Sequence, residues 1–296
     1  MLQILFALLP LFTVMTAFVV GFAWYFARAS LIPQRAPNSQ KPEMAYEPFV
    51  VTHDGLALNG WFIPAAGAAA GTRPTVILSH GWGGSAERML PHADYLHKAG
   101  FHCVLYDLRG HGDSGTVEVA TLAAMVSDLR AVFAAVVRRP EVAPDQVGLF
   151  GHSMGGAISL LAAASDLPIR AVVSSSGFAD LDDLISLMLH SRHLPDFLFK
   201  RLVEKFWQRD AGVPLERINP VRQVDRIRFP VLLLHGEQDP VIPSEQMEKL
   251  HGFALKAEKY VVKGRGHSDL YEDPVYRRKV IDYFEARFNE QVAKNE

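Results

Sequence analysis

The sequence predicts an α/β protein: a doubly wound, mostly parallel sheet with a short helical cap, preceded by one transmembrane helix. Three observations carry that prediction. Short β-branched runs alternate with longer helical patterns from Thr75 to the C-terminal region. Several of those runs are apolar throughout, as strands covered on both faces are. Residues 1–27 contain no Asp, Glu, Lys or Arg.

The first element is that uncharged stretch. From Leu2 to Ala27, 21 of 26 residues are apolar. As a helix they span ~39 Å, enough to cross the ~30 Å hydrocarbon layer with some tilt. Trp24 and Tyr25 stand at its C-terminal end, where aromatic side chains favour the headgroup region. Pro10 would break a soluble helix, whereas membrane helices tolerate such kinks. A cleaved signal peptide is the competing reading, with Ala27-Arg28-Ala29 as the cut site. A basic n-region is missing, however, and the apolar run exceeds the ~7–15 residues of a normal h-region. Arg28, Arg35 and Lys41 follow the span, which places the main domain on the cytoplasmic side. Residues 28–46, with three prolines, read as a linker that lifts the domain off the bilayer.

The domain proper is expected over 47–296. Pro48–Val51 and Asn59–Ile63 flank His53-Asp54-Gly55 and read as an antiparallel hairpin. Ala65–Thr72, an Ala/Gly run, reads as a loop. The following strands are expected at Thr75–Ser79, His102–Asp107, Gln146–Phe150, Ala171–Ser174, Val231–His235 and Lys259–Val262. Helical patterns lie between them, at about 86–99, 118–138, 154–164, 244–251 and 274–289. One interval, about 178–228, has no strand pattern and is rich in aromatic residues. An insertion there would cap the C-terminal edge of the sheet, where open α/β folds bind ligands.

Composition excludes several classes. The chain has 296 residues, 49% of them hydrophobic and 21% charged, which is incompatible with intrinsic disorder. Its 30 basic and 32 acidic side chains offer no basic excess for a nucleic-acid partner. Cys103 is the single cysteine, so no internal disulfide and no multi-cysteine metal site is possible. There is no HExxH pattern, and His190 and His193 form an isolated pair. Neither a metal nor a cofactor is called for, and nothing in the sequence sets an oligomeric state.

Gly151-His152-Ser153-Met154-Gly155-Gly156 follows the apolar run Val147–Phe150 and precedes the helical run Ala157–Ala164. This is a G-x-S-x-G elbow in its strand–turn–helix context. The sharp turn pushes the serine Oγ outward, and small residues on either side are needed where backbones approach. The helix N-terminus behind it directs amides and a positive dipole end at any developing anion. A nucleophilic serine needs a base and an orienting acid, here in the order Ser, acid, His. His267, in a glycine loop after Lys259–Val262, is placed at the sheet edge where Ser153 must emerge; His251 lies in a helical pattern. Asp239, in the turn after Val231–His235, is the leading acid, with Glu237 and Asp180 as alternatives. His80-Gly81-Trp82-Gly83-Gly84 follows Thr75–Ser79 and suits an oxyanion loop, with the amides of Trp82 and Met154 as donors. The Trp82 indole would then belong to an apolar acyl pocket, and His80 would brace the loop.

With HGWGG (80–84), YDLRGHGDSG (106–115), GHSMGG (151–156), LLLHGEQDPVIP (232–243) and GRGHSDL (264–270) in this order, the chain resembles the α/β-hydrolase family. The resemblance spans about residues 48–288 and leans toward the serine-aminopeptidase-like and monoacylglycerol-lipase-like branches. It implies the triad positions for Ser153, Asp239 and His267 and the oxyanion positions for Trp82 and Met154. It also makes Asp107, Arg109 and His111 structural. The membrane span is no part of the family's general pattern.

The pattern G-x-G-x-x-A at 81–86, with Asp107 ending the next strand, also fits a dinucleotide fingerprint. That reading leaves the elbow, Asp239 and His267 unexplained. A non-catalytic, membrane-tethered binding module would be expected to lack a triad member, and none is lacking. The expectation is therefore a membrane-anchored serine hydrolase that cleaves a carboxylic ester, lipid-derived esters included, or the amide of a short peptide.

Overall fold

The computed structural model describes residues 2–67 and 71–295; the centre of the Ala65–Thr72 loop lies outside the described residues. The chain begins with one long helix, α1 (Leu2–Leu31). A hairpin follows, β1 (Glu47–His53) and β2 (Leu56–Ile63), closed by Asp54 and Gly55 at φ 48° and 74°. Such a two-residue turn with both φ values positive matches the twist of the flanking strands.

Next come β3 (Arg73–Ser79), α2 (Leu90–Lys98), β4 (His102–Tyr106), α3 (Leu122–Val136), β5 (Val142–His152) and α4 (Met154–Ala163). The chain continues through β6 (Val172–Ser175), α5 (Leu181–His190), α6 (Asp196–Ala211), β7 (Val231–Gly236), α7 (Glu245–Phe253), β8 (Ala257–Val262) and α8 (Pro274–Asn295). The eight strands form one sheet in the order β1-β2-β4-β3-β5-β6-β7-β8. Pairings β1–β2 and β2–β4 are antiparallel, and every other pairing is parallel.

Element boundaries differ from the sequence expectations for local reasons. The pattern at 86–99 divides into a 3-10 turn, Ala86–Met89, and α2, because Pro91 enters the first turn of the new helix without an amide to donate. α3 starts at Leu122 because Thr121 caps it, its hydroxyl accepting from the Ala124 amide at 3.3 Å.

The central strands alternate between two cores, as the pleat requires. Val76, Leu78 and Phe150 face α2 and α8, packing with Leu96, Tyr276 and Phe284. Ile77, Leu149 and Leu233 face the opposite side, with Leu129 and Val132 of α3 and Ile158 of α4. Cys103 on β4 is buried, and burial pushes its thiol far up.

Two features bear on the site. Between β6 and β7 the chain leaves the sheet to form α5, α6 and three short 3-10 turns (Leu215–Ile218, Pro220–Arg222, Val224–Arg226). The second feature is α1, which does not stand apart. It runs four residues past Ala27, and Ala23, Phe26 and Ala27 are buried in the same core as α3 and α6. The segment after it also lies on the domain. Asn38 donates to Asp107 at 2.7 Å, the amides of Ser39 and Gln40 donate to Glu87 at 2.6 and 2.8 Å, and Arg35 donates to the Gly112 carbonyl at 3.0 Å. Asp107 also accepts from the amides of Ala86 and Asp113, so its carboxylate ties three loops together.

Candidate active site

Ser153 sits between β5 and α4 at φ 54° and ψ −120°, a conformation non-glycine residues rarely hold. Packing imposes it. A Cβ on Gly151 would strike the Gly155 carbonyl, and one on Gly155 would strike the Ser79 carbonyl. The turn is closed by the Ser153 amide donating to the Ser175 carbonyl at 2.8 Å and the Gly156 amide donating to the Ser153 carbonyl at 2.9 Å. Met154 is the first residue of α4, so its amide has no intrahelical acceptor.

The loop after β3 lies directly against the serine, a Cβ on Gly81 falling 3.0 Å from the Ser153 Cβ. His80 braces that loop. Its Nε2 accepts from the Leu108 amide at 3.0 Å, leaving Nδ1–H to donate to the Gly81 carbonyl at 2.7 Å. Burial, with His111 nearby, lowers its pKa to about 3 and keeps it neutral. Trp82 follows in the turn that the Gly84 amide closes onto the Gly81 carbonyl at 3.1 Å.

Two strand-end loops bring an acid and an imidazole together. Asp239, whose side chain is buried, accepts at Oδ1 from the amides of Val241 and Ile242 at 2.8 and 2.9 Å. Its Oδ2 accepts from His267 Nδ1 at 2.7 Å. A carboxylate can only accept here, so Nδ1 carries the proton and Nε2 keeps its lone pair. Burial works to raise the Asp239 carboxyl, but the bonds from His267 and the two amides outweigh it and hold the carboxyl below its ordinary value. The loops are clasped together by Gln238, whose amide donates to the Arg265 carbonyl at 2.8 Å.

The other acids are occupied elsewhere. Glu237 accepts from the Gly264 amide at 3.0 Å, and Asp180 caps α5, accepting from the Asp182 amide at 3.0 Å and from Asn219 at 2.9 Å. His251 lies within α7. Arg109 is engaged structurally, forming two bonds of 2.6 Å to buried Asp128. Asp107 is likewise occupied by the loop contacts above, which leaves the dinucleotide pattern without its acidic partner.

Two cavities meet at Ser153. One, of about 570 Å³, is largely apolar and has Trp82, Ser153 and Met154 on its floor and Leu184, Met188 and Trp207 of the cap on its walls. The other, of about 700 Å³, is more polar and is bordered by Glu87, Arg88, His152, Ser153, His267 and Ser268. Trp82, Ser153, Met154 and His267 line one or both cavities, and Asp239 is bonded to His267. The arrangement offers a serine at a helix N-terminus, an imidazole oriented by a buried carboxylate and lining the same polar cavity, and separate apolar and polar compartments.

Sequence reasoning did not anticipate that Ala29, Ser30, Leu31, Ile32 and Gln34 also line the apolar cavity. Its one available signal was the spacing Ala23-x-x-x-Ala27, a pair of small residues that lets a second helix approach closely.

Residues 70–211 match the family model described as serine aminopeptidase, S33, and residues 203–288 match that of a TAP-like protein. A relative, the uncharacterized protein YfhR of Escherichia coli strain K12, is 29% identical over 93% of this chain and 94% of its own length. Among solved structures, the α/β hydrolase GrgF from a Penicillium species superposes with a TM-score of 0.65 at 22% identity, covering 83% of this chain and 100% of that one. The Pyrococcus furiosus esterase Pf2001 superposes with a TM-score of 0.66 at 23% identity, covering 87% of this chain and 98% of that one.

Proposed function

The chain belongs to the α/β hydrolases, and on that premise we propose that it is a membrane-anchored serine hydrolase cleaving a carboxylic ester through an acyl-enzyme. The observation that carries this reading is the Asp239–His267 bond of 2.7 Å beside a serine held in an elbow. Ser153 Oγ attacks the ester carbon while His267 Nε2 takes its proton. The Trp82 and Met154 amides receive the charge that develops on the carbonyl oxygen. His267 then returns the proton to the departing alcohol as the C–O bond breaks. Water, deprotonated by the same imidazole, releases the acid and restores Ser153.

The two compartments suit an ester whose acid part is apolar and whose alcohol part is polar. Amide hydrolysis is the second reading, favoured by the match to the serine aminopeptidase model. Membrane anchoring is supported by α1, which is long and apolar enough to cross a bilayer over Leu9–Leu31. Burial of Ala23, Phe26 and Ala27 against the domain favours retention of the helix over its cleavage as a signal. Arg28, Arg35 and Lys41 favour a cytoplasmic domain.

A fluorophosphonate probe should label the wild-type protein and leave Ser153→Ala unlabelled. Equal labelling of both would remove Ser153 from the role of nucleophile.

A further inference from the structure

The end of α1 does more than join two parts of the chain. Trp207 on α6 donates its indole N–H to Ser30 Oγ at 3.1 Å and to the Ala27 carbonyl at 3.3 Å. The Ala120 amide donates to the Leu31 carbonyl at 2.8 Å, and Arg28 pairs with Glu118 at 3.1 Å. One turn further back, the Phe22 ring packs on Phe199 with centroids 5.2 Å apart. Ala23 and Ala27, both 0% exposed, let the two helices approach closely. The helix is thus fixed against the cap from Phe22 to Leu31, and its last turn closes the apolar cavity that reaches Ser153.

The opposite end of the same contact is apolar and uncovered. Leu11, Phe12, Met15 and Phe18 project outward from α1, and Phe197, in the first turn of α6, is 91% exposed. Phe18 stacks toward Phe22 with centroids 6.3 Å apart, so the exposed apolar surface of α1 runs down to the turn that docks on α6. No polar solvent favours a surface of this kind, and the uncharged stretch of α1 before Arg28 matches the acyl region of a bilayer as its cover.

We propose that α1 is a wall of the substrate site, and that the substrate is an acyl ester lipid drawn from the membrane, its chain lying in the apolar cavity that the last turn of α1 and the cap enclose beside Ser153. This inference rests on the serine-hydrolase reading and adds to it the source of the substrate and the residues that select its acyl chain. Leu31 and Ala29 are the selecting positions, since both line the cavity and neither carries one of the side-chain hydrogen bonds that hold the helix down. The polar alcohol part of the lipid would occupy the second cavity, toward Arg88 and Ser268.

The test uses the full chain in phosphatidylcholine vesicles with p-nitrophenyl dodecanoate and p-nitrophenyl acetate, read as the ratio of their kcat/KM values. In the wild type each buried methylene should raise the long-chain value about fourfold until the cavity is filled. Ala29→Trp, which fills the cavity from the α1 side, should lower the dodecanoate-to-acetate ratio at least tenfold. Leu31→Ala, which removes wall, should also shift the ratio, through weaker hold on the chain. A ratio within twofold of wild type in both variants, with Ser153-dependent fluorophosphonate labelling intact, overturns the inference and leaves the hydrolase reading standing. Loss of that labelling in the wild type would instead overturn the hydrolase reading, and this inference with it.

Discussion

The ring of His152 lies 4.9 Å from that of His267, centroid to centroid, so the residue before Ser153 packs on the imidazole that Asp239 orients. Burial, and after it the proximity of His267, lowers the His152 pKa to about 3. His152 therefore stays neutral above that pH. The acid limb of log kcat/KM against pH should have unit slope, reflecting one proton. A limb of slope two would show that His152 titrates with the reaction.

Asp239 fixes the tautomer of His267 by accepting from Nδ1. In Asp239→Asn the amide can still fit, but its NH₂ group would favour the wrong tautomer, with the lone pair on Nδ1. We expect kcat to fall by about 10³–10⁴-fold with little change in KM. Steady-state kinetics on one ester substrate checks this, and a loss below tenfold would point to another acid.

The elbow depends on the absence of side chains at two glycines. Gly155→Ala would force a Cβ into the Ser79 and His80 carbonyls and should cost at least ~3 kcal/mol while displacing Ser153. Gly252→Ala is the control: it lies inside α7 with nothing within 4 Å, and it should be neutral or stabilising by up to ~1 kcal/mol. Denaturant unfolding of both variants makes the comparison.

Acid should destabilise the fold well above the carboxylate range. Burial holds His80 and His92 at about 3, against an ordinary value of 6.5. Between those limits the unfolded chain binds protons that the folded chain refuses, so stability falls as pH drops from about 6.5 toward 3. Each histidine contributes a slope of up to ~1.4 kcal/mol per pH unit. His92→Phe, placed among Phe150, Tyr271 and Tyr276, should reduce the slope by one such increment. An unchanged slope would mean that His92 is not refused its proton.

What could be read from the sequence was whatever is encoded locally. The strand order of apolar runs, the Asp54-Gly55 turn and the Ser153 elbow each carry their signal within a few residues. The pairing of Asp239 with His267 spans 28 residues yet was legible, because each follows its own parallel strand and parallel strands end at the same edge. The docking of α1 was not. Trp207 and Ala27 are 180 residues apart, and no local pattern in either helix specifies the other as its partner. The aromatic stretch at 178–228 was expected to cap the edge of the sheet, whereas α6 within it packs chiefly on α1 and α5.

That docking, with the hold of Asn38 on Asp107, has a consequence for how the enzyme could search for substrate. A free coil of the length of residues 32–46 would let its ends wander apart by about 20 Å and turn in any direction. An enzyme on such a leash can sweep a volume and reach targets carried by neighbouring proteins. Here the leash is wound in and fastened at several points, so Ser153 keeps one bearing relative to α1. For the bilayer substrate proposed above, encounter would be governed by its lateral diffusion, and crowding within the plane would matter more than concentration in the surrounding fluid.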